Sequence, residues 1–189
     1  MLRLLTLAGA SLLVLPALAD GPSYDYIEGS YQRVELDDSM FDIDGDGFGI
    51  AGSFEIGDQW HLFAGYDTTD FDFDVDLDEI VLGGGLHMAL SPNLDLVANL
   101  AYVRLDASAM GFSVDDDGFG ASLGLRALAA DRLELAGFID YVDLDDSGDD
   151  TAVRGEAWYL FTDSFALGFS IGAGDDVTRY GLGARVYFD

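Results

Sequence analysis

A set of ionisable side chains recurs at alternate positions within otherwise apolar segments: Glu28, Glu55, His61, Glu79, His87, Asp95, Arg126, Glu134, Arg154, Glu156 and Arg185. Charged groups that share a low-dielectric interior must satisfy one another, and arginine with carboxylate does so best. Glu28, Glu55, Arg126, Glu134, Arg154, Glu156 and Arg185 are therefore expected to form an internal salt-bridge network, with Arg185 beside Glu28. His61 and His87 could in principle serve a hydrolase, but both fall next to short turns, and no serine of the acidic segments has a plausible histidine partner. Nucleophilic or water-activating catalysis has little to stand on, and no catalytic residue is assigned.

The acidic segments raise a second chemistry. Asp42-Ile43-Asp44-Gly45-Asp46-Gly47 matches the opening of a calcium loop, with carboxylates at alternate positions and glycine at the sixth. The match fails at the twelfth position, where Ser53 replaces the bidentate glutamate, so a full EF-hand is excluded. Runs such as Asp115-Asp116-Asp117 and Asp145-Asp146 read as solvated surface. Weak binding of calcium or magnesium by a loop carrying Asp42, Asp44 and Asp46 is the only cofactor chemistry expected.

The elements that must hold these residues begin after an export signal. Arg3 precedes an apolar run from Leu4 to Leu15, and Ala17-Leu18-Ala19 supplies small residues for cleavage, which defines a signal peptide over 1–19. The run is too short to cross about 30 Å of hydrocarbon as a helix. The mature chain, 20–189, is read as one domain without cysteine or lysine, half apolar yet part of a sequence whose formal charge is −28. Disorder fails on the apolar fraction, and a chain this acidic is not expected to bind nucleic-acid phosphates. Charges interrupt every later apolar stretch, so any crossing of a membrane must be made by strands.

Apolar residues recur at period two in ten segments, as in Ile80, Leu82, Leu86, Met88 and Leu90 or in Phe165, Leu167, Phe169 and Ile171. Short connections near 57–59, 91–93, 129–131 and 162–164 alternate with loops expected at about 36–47, 69–78, 106–117 and 143–151. Tyr31, Tyr66, Tyr102 and Tyr141 fall at the outer ends of four segments, with Trp60, Tyr159, Phe161, Phe165 and Phe188 near the opposite ends. Two depths of lipid-facing rings are the aromatic girdles of a membrane barrel. Inward positions are rich in small residues, among them Gly49, Gly83, Gly85, Gly124 and Gly168, which would leave part of the lumen to water unless Phe63, Phe138, Trp158 and Tyr187 close it. The fold expected is all-β, a ten-stranded antiparallel transmembrane β-barrel built as an up-and-down meander, with both termini on the periplasmic side.

Ser23-Tyr24-Asp25-Tyr26-Ile27-Glu28-Gly29, Asp46-Gly47-Phe48-Gly49, His61-Leu62-Phe63-Ala64-Gly65-Tyr66 and the stretch from Ser91 through Tyr102 resemble a small family of bacterial outer-membrane barrels once described as quorum factors or activators of plant immunity. The resemblance implies a ten-stranded barrel and brings no catalytic residues. The last segment, Tyr180 to Phe188, resembles the carboxy-terminal signature read by the barrel-assembly machinery, although Asp189 follows the aromatic. The expectation is an integral outer-membrane protein, monomeric, in contact with outer-membrane lipid, non-enzymatic, with an envelope-structural or surface-interaction role. A narrow porin-like channel is the alternative, followed by a secreted soluble β-sandwich or an outer-membrane hydrolase.

Overall fold

The computed structural model describes residues 21–38, 41–72, 75–109, 111–175 and 177–188. The export signal expected over 1–19 lies outside the described residues. Ten strands follow in chain order: β1 (Tyr26–Asp38), β2 (Phe41–Ile56), β3 (Trp60–Phe71), β4 (Val75–Ser91), β5 (Leu94–Ala109), β6 (Phe112–Ala130), β7 (Leu133–Leu144), β8 (Gly148–Thr162), β9 (Phe165–Ala173) and β10 (Val177–Tyr187). Each pairs antiparallel with its sequence neighbours, and β1 pairs with β10, so the meander closes on itself with Glu28 opposite Arg185 and Tyr31 opposite Leu182. The strands form one closed sheet, which replaces the sandwich alternative with a barrel that has no free edge.

Alternation explains why these segments form a wall. Ile50, Phe54, Leu62, Leu82, Leu100, Phe119, Ile139, Val153, Phe169 and Leu182 all point outward and are exposed, up to 72% at Phe119. A continuous apolar belt of this kind is the lipid-facing surface of a transmembrane barrel, since no soluble monomer presents such a surface to water. The first and last described residues, Gly21 and Phe188, belong to the rim where the turns at 57–59, 92–93, 131–132 and 163–164 connect the strands, here called the terminal rim. Three of these turns are preceded by a register shift, at Ala89/Ser91, Leu128/Ala130 and Leu160/Thr162. The extra residue bends each strand into its turn, which accounts for strands that run further than the apolar pattern implies.

The long loops expected at the opposite rim are not loops. Strand pairing continues to Asp38 opposite Phe41, Phe71 opposite Val75, Ala109 opposite Phe112 and Leu144 opposite Gly148. What reads as a charge run is a strand in the inverse phase. Asp70, Asp76, Asp78, Asp106, Asp115, Asp117, Asp143 and Asp149 occupy outward positions, while Leu36, Phe71, Leu77, Leu105, Val142, Leu144 and Val177 occupy inward ones. Below the tyrosines at residues 31, 66, 102 and 141 the wall is apolar outside and polar or small inside; above them it is acidic outside and largely apolar inside, with Asp150 an inward carboxylate among the apolar residues. Aspartate is a poor strand former, but here each carboxylate stays hydrated on one face and the ladder below already fixes the register.

The turn at 145–147 is held by a carboxylate from the neighbouring hairpin: Asp116 accepts the backbone N–H groups of Asp146 at 3.1 Å and Ser147 at 2.8 Å. The Ser147 side chain, and then these backbone donors, hold the Asp116 carboxyl below the ordinary aspartate range. A carboxyl depressed in the folded state stabilises above its unfolded value of about 3.9 and loses that contribution as pH falls through the lower folded value. Relative to the intrinsic exchange rate, which itself slows with acid in this range, the protection of the Asp146 and Ser147 amides should therefore hold at pH 5 and fall below about pH 4. Asp116→Asn should abolish that pH step; protection factors that are unchanged between the two pH values in the wild type would count against the cap.

Candidate functional site

Strands β1, β6, β7, β8 and β10 send their inward charges to one level near the terminal rim. Arg185 Nη2 lies 2.8 Å from Glu28 Oε2 and 3.5 Å from Glu156 Oε2, and its Nη1 lies 3.2 Å from Glu134 Oε1. Arg126 Nε reaches Glu134 Oε1 at 2.7 Å. Arg154 binds Asp140 at 2.9 Å and also pairs with Glu156. Tyr187 Oη donates to Glu134 and Trp158 Nε1 donates to Glu156, at 3.2 and 3.0 Å. Because β7 and β10 are not neighbours in the sheet, the Glu134–Arg185 contact crosses the lumen rather than running along the wall. The Arg185 guanidinium also lies over the Trp158 and Tyr26 rings, at 3.9 and 4.1 Å. Such a stack fixes a planar cation while its edges stay free for carboxylates.

Glu55 is the member of the expected network that the structure leaves out. It faces inward two residues before the turn at 57–59 but makes no ion pair among the described residues; its backbone N–H donates to the Asp25 carboxylate at 2.8 Å. The inward arginines on β6, β8 and β10 are already held by nearer acids, and a carboxylate at the rim can remain hydrated. Asp140, Trp158 and Tyr187 complete the network in its place. Asp140 sits on the inward parity of β7 and is legible from alternation alone. The roles of Trp158 and Tyr187 depend on closure and leave no trace in a linear pattern.

The other half of the lumen is filled by a residue that precedes the first strand. Tyr24, 3% exposed, folds inward and stacks on His87 at 3.9 Å and His61 at 4.8 Å between ring centroids. Its hydroxyl donates to Asp95 at 3.0 Å, and the Arg126 guanidinium lies 4.7 Å from its ring. Phe188 donates its backbone N–H to the Asp25 carbonyl at 3.1 Å, which ties the entering chain to the leaving one. His61 and His87 are thus walls for a tyrosine, with His61 Nδ1 and His87 Nε2 lacking hydrogen-bond partners among the described residues.

Inward glycines serve this filling. Directly across the ladder, Gly168 faces Trp158, Gly85 faces His61, Gly124 faces Phe138 and Gly83 faces Phe63. A side chain at Gly168 would collide with the Trp158 ring. The glycines therefore make room for large neighbours rather than for water at this level. Gly168→Leu should force Trp158 off its rotamer and destabilise the barrel by about 1–3 kcal/mol. A urea refolding midpoint within error of the wild type would contradict that reading.

Above this floor a well of about 690 Å³ extends towards the acidic rim. Its wall includes Asn99 and Arg154 low down, Asp67, Glu79 and Arg179 part-way up, and Leu36, Phe71, Leu77, Leu105, Leu144 and Val177 near the mouth. Asp42, Asp44 and Asp46 do not form a loop beside it; they lie within β2 at alternate positions. Side chains spaced along one strand cannot converge as calcium ligands do. Arg33 pairs with Asp44, and Asp46 accepts the Tyr31 hydroxyl at 2.6 Å; the side chain of Asp42 lies outside what is described.

The girdle residues all lie on the outward face. Tyr31, Tyr66 and Tyr141 are exposed and Tyr102 is half-buried, edge-on to Phe119 at 6.4 Å. Tyr66 donates its hydroxyl to Asp78 at 2.8 Å, so these rings mark the level at which the outer wall turns from apolar to acidic. Trp60, Tyr159, Phe161, Phe165 and Phe188 are exposed at the terminal end, where Tyr159 and Phe161 meet edge-on at 5.0 Å.

No protein-family model matches the chain, and no curated protein matches it. Among solved structures it is similar to the KdgM porin, with 11% identity over 87% of this chain and 99% of that one and a TM-score of 0.48. It is also similar to Ail, the attachment invasion locus protein of Yersinia pestis, at 16% identity over 88% and 100% of the two chains and a TM-score of 0.45. Neisserial surface protein A gives 15% identity over 88% and 98%, with a TM-score of 0.43. These are distant likenesses of shape. Closure of all ten strands and the apolar outer belt carry the conclusion by themselves: the chain folds as a β-barrel of the outer-membrane type, its lumen filled at the terminal rim and hollow towards the acidic one.

Proposed function

We propose that this protein is a non-conducting, non-enzymatic outer-membrane barrel that presents an acidic crown and an outward-opening well at the cell surface. The observation that carries the reading is the filled cross-section near the terminal rim. Tyr24 with His61, His87 and Arg126 fills one side, and Arg185 with Glu134, Trp158 and Tyr187 fills the other; Glu134 and Trp158 are 1% and 2% exposed. A solute entering the well meets this layer before it reaches the opposite side. In this reading the terminal rim faces the periplasm, lipid contacts the apolar belt, and the barrel-assembly machinery inserts the chain as a monomer. The histidines are covered by Tyr24, which supports a role without hydrolysis.

Single-channel recording in a planar bilayer tests it. The wild-type barrel should insert, as judged by a migration shift between boiled and unboiled samples, and carry no steady ohmic current. A stable open level in most insertions would overturn the reading in favour of the porin-like one, which the width of a ten-stranded barrel also allows.

A further inference from the structure

We infer that the well above the floor binds a small organic cation, an amine or quaternary ammonium carried on an apolar body, with Asp67 as its counter-charge. The inference rests on the blind, outward-opening lumen proposed above and adds the chemistry of what enters it.

Apolarity is the first argument. Strand extensions that served only as a hydrated acidic surface would have no need of apolar inward positions. Yet Leu36, Phe71, Leu77, Leu105, Leu144 and Val177 line the mouth, and Val34 and Val103 lie buried below them. They form the apolar part of the wall of a well of about 690 Å³, within the range of about 300–1,000 Å³ that small-molecule sites occupy. An apolar body that displaces water from these side chains gains by burial.

Charge selects the ligand's sign. Four arginines line the well, Arg126, Arg154, Arg179 and Arg185, and each is already paired: with Glu134, with Asp140 and Glu156, with Glu79 at 3.5 Å, and with Glu28, Glu134 and Glu156. Asp67, part-way up the wall on β3, forms no ion pair among the described residues, the nearby Arg179 being paired with Glu79; it accepts a hydrogen bond from the neutral Gln32 amide, at 3.0 Å. Asp150, nearer the mouth, likewise has no arginine and accepts a backbone N–H from Thr151 at 2.7 Å. The cavity thus presents uncompensated negative charge and no uncompensated positive charge. Outside, the aspartates of the crown lower the potential at the mouth for any arriving cation and raise it for anions. Phe138 already holds the Arg154 guanidinium over its face at 4.4 Å, and Phe63 and Phe71 add further ring faces to the well.

The test uses the refolded full-length barrel in lipid nanodiscs, with empty nanodiscs subtracted. Three probes of matched size are titrated calorimetrically: 3-phenylpropyltrimethylammonium, 4-phenylbutanol and 4-phenylbutanoate. The expected result is saturable one-to-one binding of the cation, weaker binding of the alcohol and none of the carboxylate. Asp67→Asn should weaken the cation by about tenfold and leave the alcohol unchanged, Asp67→Glu should retain the cation, and Val103→Trp, whose ring takes up part of the well, should weaken both. Absence of saturable cation binding by wild type, equal binding of cation and carboxylate, or an unchanged cation affinity in Asp67→Asn would overturn the inference. Steady wild-type conductance would instead remove the blind-lumen reading, and the two failures are read by different instruments.

Discussion

Replacing Glu134 with glutamine is expected to lower the stability of the barrel by about 3–5 kcal/mol, the cost of leaving a buried charge without its partner. Glu134 is almost wholly buried and accepts from Arg126 Nε at 2.7 Å, Arg185 Nη1 at 3.2 Å and Tyr187 Oη at 3.2 Å. Arg185 would keep Glu28 and Glu156. Arg126 would keep no ion pair, since Glu134 is its one such partner among the described residues and its Nη2 already lacks a hydrogen-bond partner. Glutamine preserves the volume, so the loss is electrostatic rather than a cavity. Combining it with Arg126→Met should recover part of the stability, because exchanging both members of a buried pair for uncharged groups removes the desolvation cost along with the attraction. Glu55→Gln, at the rim and without an ion pair, should stay within about 0.5 kcal/mol of the wild type. Urea-driven unfolding in lipid vesicles measures all four proteins, and a Glu134→Gln midpoint no lower than that of Glu55→Gln would defeat the argument.

The wall of this barrel is legible in the sequence because a lipid-facing strand must repeat every two residues, and the ten apolar segments do so. The outer extensions are equally periodic, in Asp70-Phe71-Asp72 or Asp76-Leu77-Asp78, yet they read as loops. Charge density outweighed alternation there, although the phase of the alternation had only inverted. Lumen charges are legible as to face, since parity places Glu28 and Arg185 inward, but not as to partner. Glu55 and Glu156 share that parity, and only closure, which sets Arg185 opposite Glu28 and within 3.5 Å of Glu156, separates the paired acid from the hydrated one. Tyr24 lies outside any strand pattern. Its position depends on a chain entering the barrel end-on, which no period encodes.

Removing that side chain should convert a silent barrel into a conducting one. Tyr24 fills the space between His61, His87 and Val97, capped by Arg126, and its hydroxyl donates to Asp95, its one hydrogen-bond partner among the described residues. Tyr24→Ala empties a volume of roughly one phenol ring in a setting where two histidines, an aspartate and an arginine offer water several partners, so the gap should hydrate rather than stay dry. The ion-paired layer around Arg185 would remain as the opposite wall, holding the passage narrow. Because carboxylates outnumber arginines on the inward face, the current should favour cations. Tyr24→Phe keeps the stack on both imidazoles and loses only the Asp95 hydrogen bond, so it should remain closed. The measurement is single-channel recording of the three proteins at matched insertion, with the boiled-versus-unboiled migration shift confirming that each is folded. Steady cation-selective openings confined to Tyr24→Ala are expected. A folded Tyr24→Ala barrel as silent as the wild type would mean that Arg185, Trp158 and Tyr187 seal the lumen without the amino-terminal residue.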